Sequence, residues 1–130
     1  MLREKKIVLC VTGGIAAYKA CDLTSRLKKR GAKVRVVLTA HACAFVPPLT
    51  FETLSGNPAY TDAFERKFEI EHVALAKWAD AVVVAPATAN ILAKMAAGIA
   101  DELVSTALLA ATAPVLVAPA MNAAMWRNPA

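Results

Sequence analysis

The sequence predicts an α/β fold, a doubly wound parallel sheet with helices on both faces, and three observations predict it. Short apolar runs recur at residues 7–11, 34–38, 81–85 and 115–118. Stretches with helical spacing separate them, and the first run leads straight into a glycine turn, Thr12-Gly13-Gly14. Continuous apolarity suits a strand buried on both faces, and parallel neighbours need a crossover helix between them. In such a sheet ligands bind outside the carboxyl ends of the strands.

Ile7-Val8-Leu9-Cys10-Val11 is bounded by charge before and glycine after, as a central strand should be. Ala16, Ala20, Leu23 and Leu27 then share one helical face, and Gly31 stands where a helix ends. Residues 34–38 form the second strand. Pro47-Pro48 breaks any short helix over 41–46, and 49–54 makes a helical turn or two, closed by Ser55-Gly56-Asn57-Pro58. Residues 60–70 are charged and least periodic, so a surface loop or short edge strand is expected. His72, Leu75, Ala76 and Ala79 share a helical face ahead of the buried strand 81–85, which should stop at Pro86. Two helices over 88–97 and 101–110 part at Gly98, and the last strand, 115–118, stops at Pro119. Asn128-Pro129 is a helix-start signal that meets the last residue, Ala130, at once, so residues 1–130 are expected to be one domain of a longer chain, with the carboxyl-terminal part of the fold expected beyond them.

Composition narrows the class. The 130 residues are 58% hydrophobic, 6% aromatic and 19% charged, with a net charge of +5. That is too apolar for disorder and high for a small domain exposed on all sides, so it points to a core closed on two faces or a large subunit interface. The longest uncharged stretch, 103–126, reaches membrane-spanning length, but Pro114 and Pro119 cut it and polar residues punctuate it. With no export signal at the start, a cytoplasmic protein without a membrane partner is expected. Residues 1–35 hold ten basic and two acidic side chains, a local +8, partly at the end of the first helix, where cations complement the dipole. With few aromatics to interleave, nucleic acid is not an expected partner. Cys10, Cys21 and Cys43 have neither CxxC nor zinc-ligand spacing, so they are expected reduced and buried, with no metal site.

Three loops at strand ends carry the unusual polar groups: Thr12-Gly13-Gly14, Pro86-Ala87-Thr88-Ala89-Asn90 and Pro119-Ala120-Met121-Asn122. All three should lie on one rim. The glycine turn can present N–H groups to a phosphate, or can serve packing alone. A complete GxGxxG is absent, and the second strand ends in Thr39 instead of the acid that grips a dinucleotide's ribose, so a mononucleotide such as FMN fits better than NAD. His72, with Glu69 and Glu71 close in sequence, reads as a packed or capping histidine or as a base. Asn122 reads as a helix cap or as a contact to a substrate carboxylate or flavin carbonyl, and Asn90 as a helix-start residue or a cofactor contact. His41 has no comparable setting.

Taken together, the segments 12–19, 71–80 and 85–90 and the final Pro119-Ala120-Met121-Asn122-Ala123-Ala124-Met125-Trp126, of the form PxMNxxMW, resemble the flavin-dependent cysteine decarboxylases, nearest to their phosphopantothenoylcysteine decarboxylase branch. The resemblance covers essentially the whole chain. It implies a flavodoxin-like FMN domain assembled as homotrimers or larger groups of trimers, joined at full length to a carboxyl-terminal CTP-dependent synthetase domain. The implied reaction of coenzyme A biosynthesis converts 4′-phospho-N-pantothenoyl-L-cysteine to 4′-phosphopantetheine and CO2. A carboxylate on an ordinary amide-bearing carbon leaves badly because the carbanion has no sink. Two-electron oxidation at Cβ–S creates a thioaldehyde that can accept the electrons, so the flavin carries the hard step and returns the hydride at the end.

Carried over by motif position, His72 is implied as base or proton shuttle and Asn122 as holder of the substrate carboxylate. Gly13, Gly14, Thr39, Ala87, Thr88, Asn90 and Met121 are implied in the FMN site. Relatives continue into a further strand and a flap whose cysteine supplies a proton; none of Cys10, Cys21 and Cys43 matches it. Two rival readings remain: oxidative decarboxylation of a peptide's carboxyl-terminal cysteine, and a non-catalytic flavoprotein subunit. The motifs of a flavin prenyltransferase are not seen.

Overall fold

A computed structural model describes residues 2–61 and 67–130, with backbone only for 67–72. Strands β1 (Lys6–Val11), β2 (Lys33–Leu38), β3 (Ala81–Ala87) and β4 (Val115–Pro119) form one sheet in the order β2-β1-β3-β4. Every pairing is parallel. From β1 the chain moves outward to β2, then returns across β1 to β3 and on to β4. The switch in direction lies between β1 and β3, where a doubly wound sheet opens its crevice.

The unbroken apolar runs resolve into two faces of period two. Ile7, Leu9 and Val11 of β1 and Val34, Val36 and Leu38 of β2 meet Ala17 and Ala20 of α1 (Ala17–Lys29) and Phe51 of α2 (Pro48–Ser55). On the other face Val8, Cys10, Val37, Val82 and Val84 meet Leu75 of α3 (Lys67–Trp78), Ile91 of α4 (Ala89–Ala97) and Leu103, Val104 and Leu108 of α5 (Leu103–Ala110). Gly31 (φ 91°) follows α1 and Gly98 (φ 69°) ends α4, left-handed positions that favour glycine.

Four expectations need correction. Within 60–70, Tyr60 adds a single parallel bridge to Val37, but helix α3 already begins at Lys67. Lys and Glu are good helix formers, so charge there did not mark a loop; residues 62–66 lie outside the described residues. Strand β3 runs through Pro86 to Ala87, because the β3–β4 register shifts between Val84 and Ala87 and leaves the proline no ladder bond to donate. The expected helix over 41–46 is a single 3-10 turn, Ala42–Ala44. Only Cys10 is fully buried; Cys21 and Cys43 are half-buried at the margin of the α1-side core. Among the described residues no helix is long and apolar enough to cross a membrane, and no group of three or more His, Cys, Asp or Glu could hold a metal ion.

Candidate functional site

The carboxyl ends of the four strands are stitched to one another by hydrogen bonds beyond the sheet. Thr39 N–H, after β2, donates to Val11 O of β1 at 3.1 Å, and Ala120 N–H, after β4, donates to Ala87 O of β3 at 3.0 Å. Between β1 and β3 a side chain does the joining: the Thr12 hydroxyl donates to Pro86 O and accepts from Thr88 N–H, the latter at 3.2 Å. The stitched loops enclose a cleft of about 790 Å³, within the range of sites that take a small ligand or cofactor.

Seven of the nine expected site residues line that cleft: Gly13, Gly14, Thr39, Thr88, Asn90, Met121 and Asn122. Gly13 is a packing glycine, since a Cβ there would lie 2.5 Å from His41 Cγ, too close for any real side chain. Gly14 has ordinary room, its nearest such neighbour being Thr88 Cγ2 at 3.7 Å. Thr39 Oγ1 accepts from Ala42 N–H at 3.0 Å and starts the 3-10 turn, leaving its own proton to donate. Thr88 caps α4 by accepting from Ile91 N–H at 3.3 Å, which makes Asn90 the second helical residue, exposed on the rim. Ala87 lies beneath the lining with its methyl in the core, and contributes the carbonyl that Ala120 uses.

Of the two readings of Asn122, the helix cap is the one observed. Its Oδ1 accepts from Ala124 N–H at 2.8 Å and caps α6 (Ala123–Trp126). The acceptor side of the amide is thereby committed, and the NH2 side is left to donate. His72 falls within α3, and its side chain lies outside the described residues.

Several lining residues were not singled out as site residues from sequence. Thr12, His41, Lys19, Lys94 and Glu102 all reach the cleft. Thr12, His41 and Lys19 share a signal, position soon after a strand or in the first turn of the helix that follows it, whereas Lys94 and Glu102 carry none. Glu102 caps α5, accepting from Val104 N–H at 2.9 Å and Ser105 N–H at 2.6 Å. Lys94 Nζ lies 2.9 Å from Asp101 Oδ1, and its hydrogen bond holds the Asp101 carboxyl below the usual range. Burial, helped by the charge of Glu102, pushes the Cys10 thiol up to about 12, so it stays protonated and is no nucleophile.

The two ends of the cleft differ chemically. Helix α1 begins with no side-chain cap and no acid in its first turn, and Gly14, Ile15 and Ala16 line the cleft ahead of it with Lys19 close by. Ala17 N–H and Lys19 N–H already donate to Gly14 O and Ala16 O, but the positive end of the helix dipole favours an anion there. At the β4 end, the thioethers of Met121 and Met125 offer polarizable apolar surface beside the Asn122 amide. A planar apolar ring system with a phosphate tail matches that arrangement.

The sequence matches the Flavoprotein family over residues 1–130. It is 54% identical over 132 residues to the coenzyme A biosynthesis bifunctional protein CoaBC of Bacillus subtilis, covering 100% of this chain and 32% of that protein. The chain thus spans about a third of the length of the curated relatives it matches. Among solved structures, the FMN-dependent cysteine decarboxylase SpaF superposes with a TM-score of 0.89 at 38% identity, over 99% of this chain and 75% of that one. A PPC decarboxylase mutant complexed with pantothenoylaminoethenethiol gives a TM-score of 0.77 at 31% identity, over 98% of this chain and 71% of that one.

Proposed function

The chain belongs to the Flavoprotein family, and on that premise we propose that it is the FMN-binding decarboxylase domain of a longer coenzyme A biosynthesis protein, acting on 4′-phospho-N-pantothenoyl-L-cysteine. The observation that carries this reading is the convergence of the glycine turn, Thr39, the 86–90 loop and the 119–122 loop on one cleft. Similarity to CoaBC and to cysteine decarboxylases supports it. Homotrimers in the cytoplasm and a fused CTP-dependent synthetase domain belong to the same proposal.

The cofactor's phosphate is assigned to the uncapped start of α1, with the Thr39 hydroxyl and Lys19 as donors. Met121 and Met125 would flank its ring. When bound, FMN supplies a two-electron acceptor for the substrate thiol and later returns the pair. Asn122 Nδ2 donates to the substrate carboxylate while Oδ1 stays on Ala124, so the residue that binds the leaving group is held rigidly by the helix it caps. His72 is the proposed base that takes the thiol proton.

The test is the visible spectrum of the protein at its natural length, then anaerobic mixing with 4′-phosphopantothenoylcysteine and detection of CO2 and 4′-phosphopantetheine. Yellow protein that yields both is expected. Yellow protein inert toward this substrate moves the assignment to another thiol, such as a peptide's carboxyl-terminal cysteine, and protein with no affinity for FMN overturns the reading. Asn122→Asp retains the cap oxygen but sets a like charge against the substrate carboxylate, so KM should rise with FMN still bound. His72→Asn should keep the flavin and abolish CO2 release.

A further inference from the structure

We infer that Thr12 is a positioning residue of the flavin site, a hydroxyl strut that sets the 86–90 loop against the glycine turn. The inference rests on the flavin reading above. The β1–β3 ladder pairs Ile7 to Cys10 with Ala81 to Val84 and ends there, although β1 continues to Val11 and β3 to Ala87. Past that point Pro86 has no N–H to offer. The Thr12 side chain makes the connection instead, donating to Pro86 O and accepting from Thr88 N–H. A hydroxyl is the smallest side-chain group that can do both from one atom.

The setting makes that hydroxyl hard to replace. At the amino end of the same strand pair, Asp80 N–H donates to Lys6 O at 2.7 Å and Lys6 N–H donates to Asp80 Oδ2 at 2.8 Å, but that end is exposed and water can substitute. Thr12 is 1% exposed and Pro86 is buried with it, while Thr88 is partly buried at the cleft, so it is above all the Pro86 carbonyl that depends on this hydroxyl. What it holds matters to both walls of the cleft. Gly13 and Gly14 follow Thr12 directly, while Thr88 caps the helix that carries Asn90. Losing the strut frees one wall to move relative to the other.

The experiment compares variants of the full-length protein by FMN titration and by the visible spectrum of the bound flavin. Thr12→Val keeps the shape and removes both hydrogen bonds; the FMN dissociation constant should rise about tenfold or more, with a shifted flavin absorption band. Thr12→Ser keeps the hydroxyl and should stay within about threefold of wild type, with the wild-type spectrum. Thr24→Val removes another fully buried hydroxyl, one that donates to Ala20 O inside α1, and should leave both readouts unchanged, which separates positioning from general loss of stability. Should Thr12→Val yield no folded protein, Thr12→Ala carries the same expectation. Wild-type affinity and spectrum in the hydroxyl-free variants, or a Ser variant as weak as they are, would overturn the inference. A wild-type protein that binds no FMN would instead strike the flavin reading itself, and this inference with it.

Discussion

Strands β1 and β4 are equally apolar in sequence and are treated oppositely by the fold. In β1, Leu9, Cys10 and Val11 are completely buried between helices on both faces. In β4, at the sheet edge, Leu116 is 68% exposed and Val115 39%. Each strand nevertheless ends in a loop that lines the cleft. The loop after β1 is locked from three sides, by Thr39, Pro86 and His41, whereas the loop after β4 hangs on the Ala120 bond to Ala87 and on the Asn122 cap. Apolar sequence therefore reports that a segment wants cover, not whether the chain at hand supplies it.

The sharpest way to break this contrast is to truncate both strands in the 130-residue chain. Leu9→Ala should cost about 2–5 kcal/mol, read from urea unfolding, because it leaves a cavity between two packed faces. At the rim, Gly13→Ala should cost about 1–3 kcal/mol, since its Cβ meets the root of the His41 ring. Gly14→Ala, with ordinary room, should stay within about 0.5 kcal/mol. Leu116→Ala should also stay within about 0.5 kcal/mol; a cost approaching that of Leu9→Ala in a longer form of the protein would show that β4 is covered there.

The smallest effect concerns pH and the cleft wall that Lys94 of α4 lines. Asp101 is held below its ordinary value of 3.8 chiefly by the hydrogen bond from Lys94. A carboxyl depressed in the folded state contributes stability that is present above the unfolded value and lost as pH falls through the folded one. With its side chain 57% exposed, Asp101 contributes little. Asp101→Asn should slightly flatten the acid limb of a Tm against pH curve below about pH 4, and leave Tm near neutrality almost unchanged. An unchanged acid limb would remove the pair from the account of stability.

Much of the fold was legible because its signals are local. Runs such as Ile7 to Val11, the glycines after α1 and α4 and the helical spacing of Ala20 and Leu23 all reveal themselves within a few residues. The site was legible as three loops but not as contacts. The close packing of His41 on Gly13 and the reach of Lys94 and Glu102 into the cleft carry no marker in their own neighbourhoods. Pro86 misled because a proline ordinarily stops a strand, and here a register shift accommodates it.

By itself the sequence determined the alternation of strand and helix, the parallel sheet and the rim on which chemistry would gather, because period and propensity act along the chain. The tertiary structure alone decided the strand order, and with it which loops touch. Thr12 and Pro86, 74 residues apart, share a hydrogen bond only because β1 and β3 are neighbours. It also decided that β1 is covered and β4 is not, since burial depends on what else packs nearby, and no run of residues encodes that on its own.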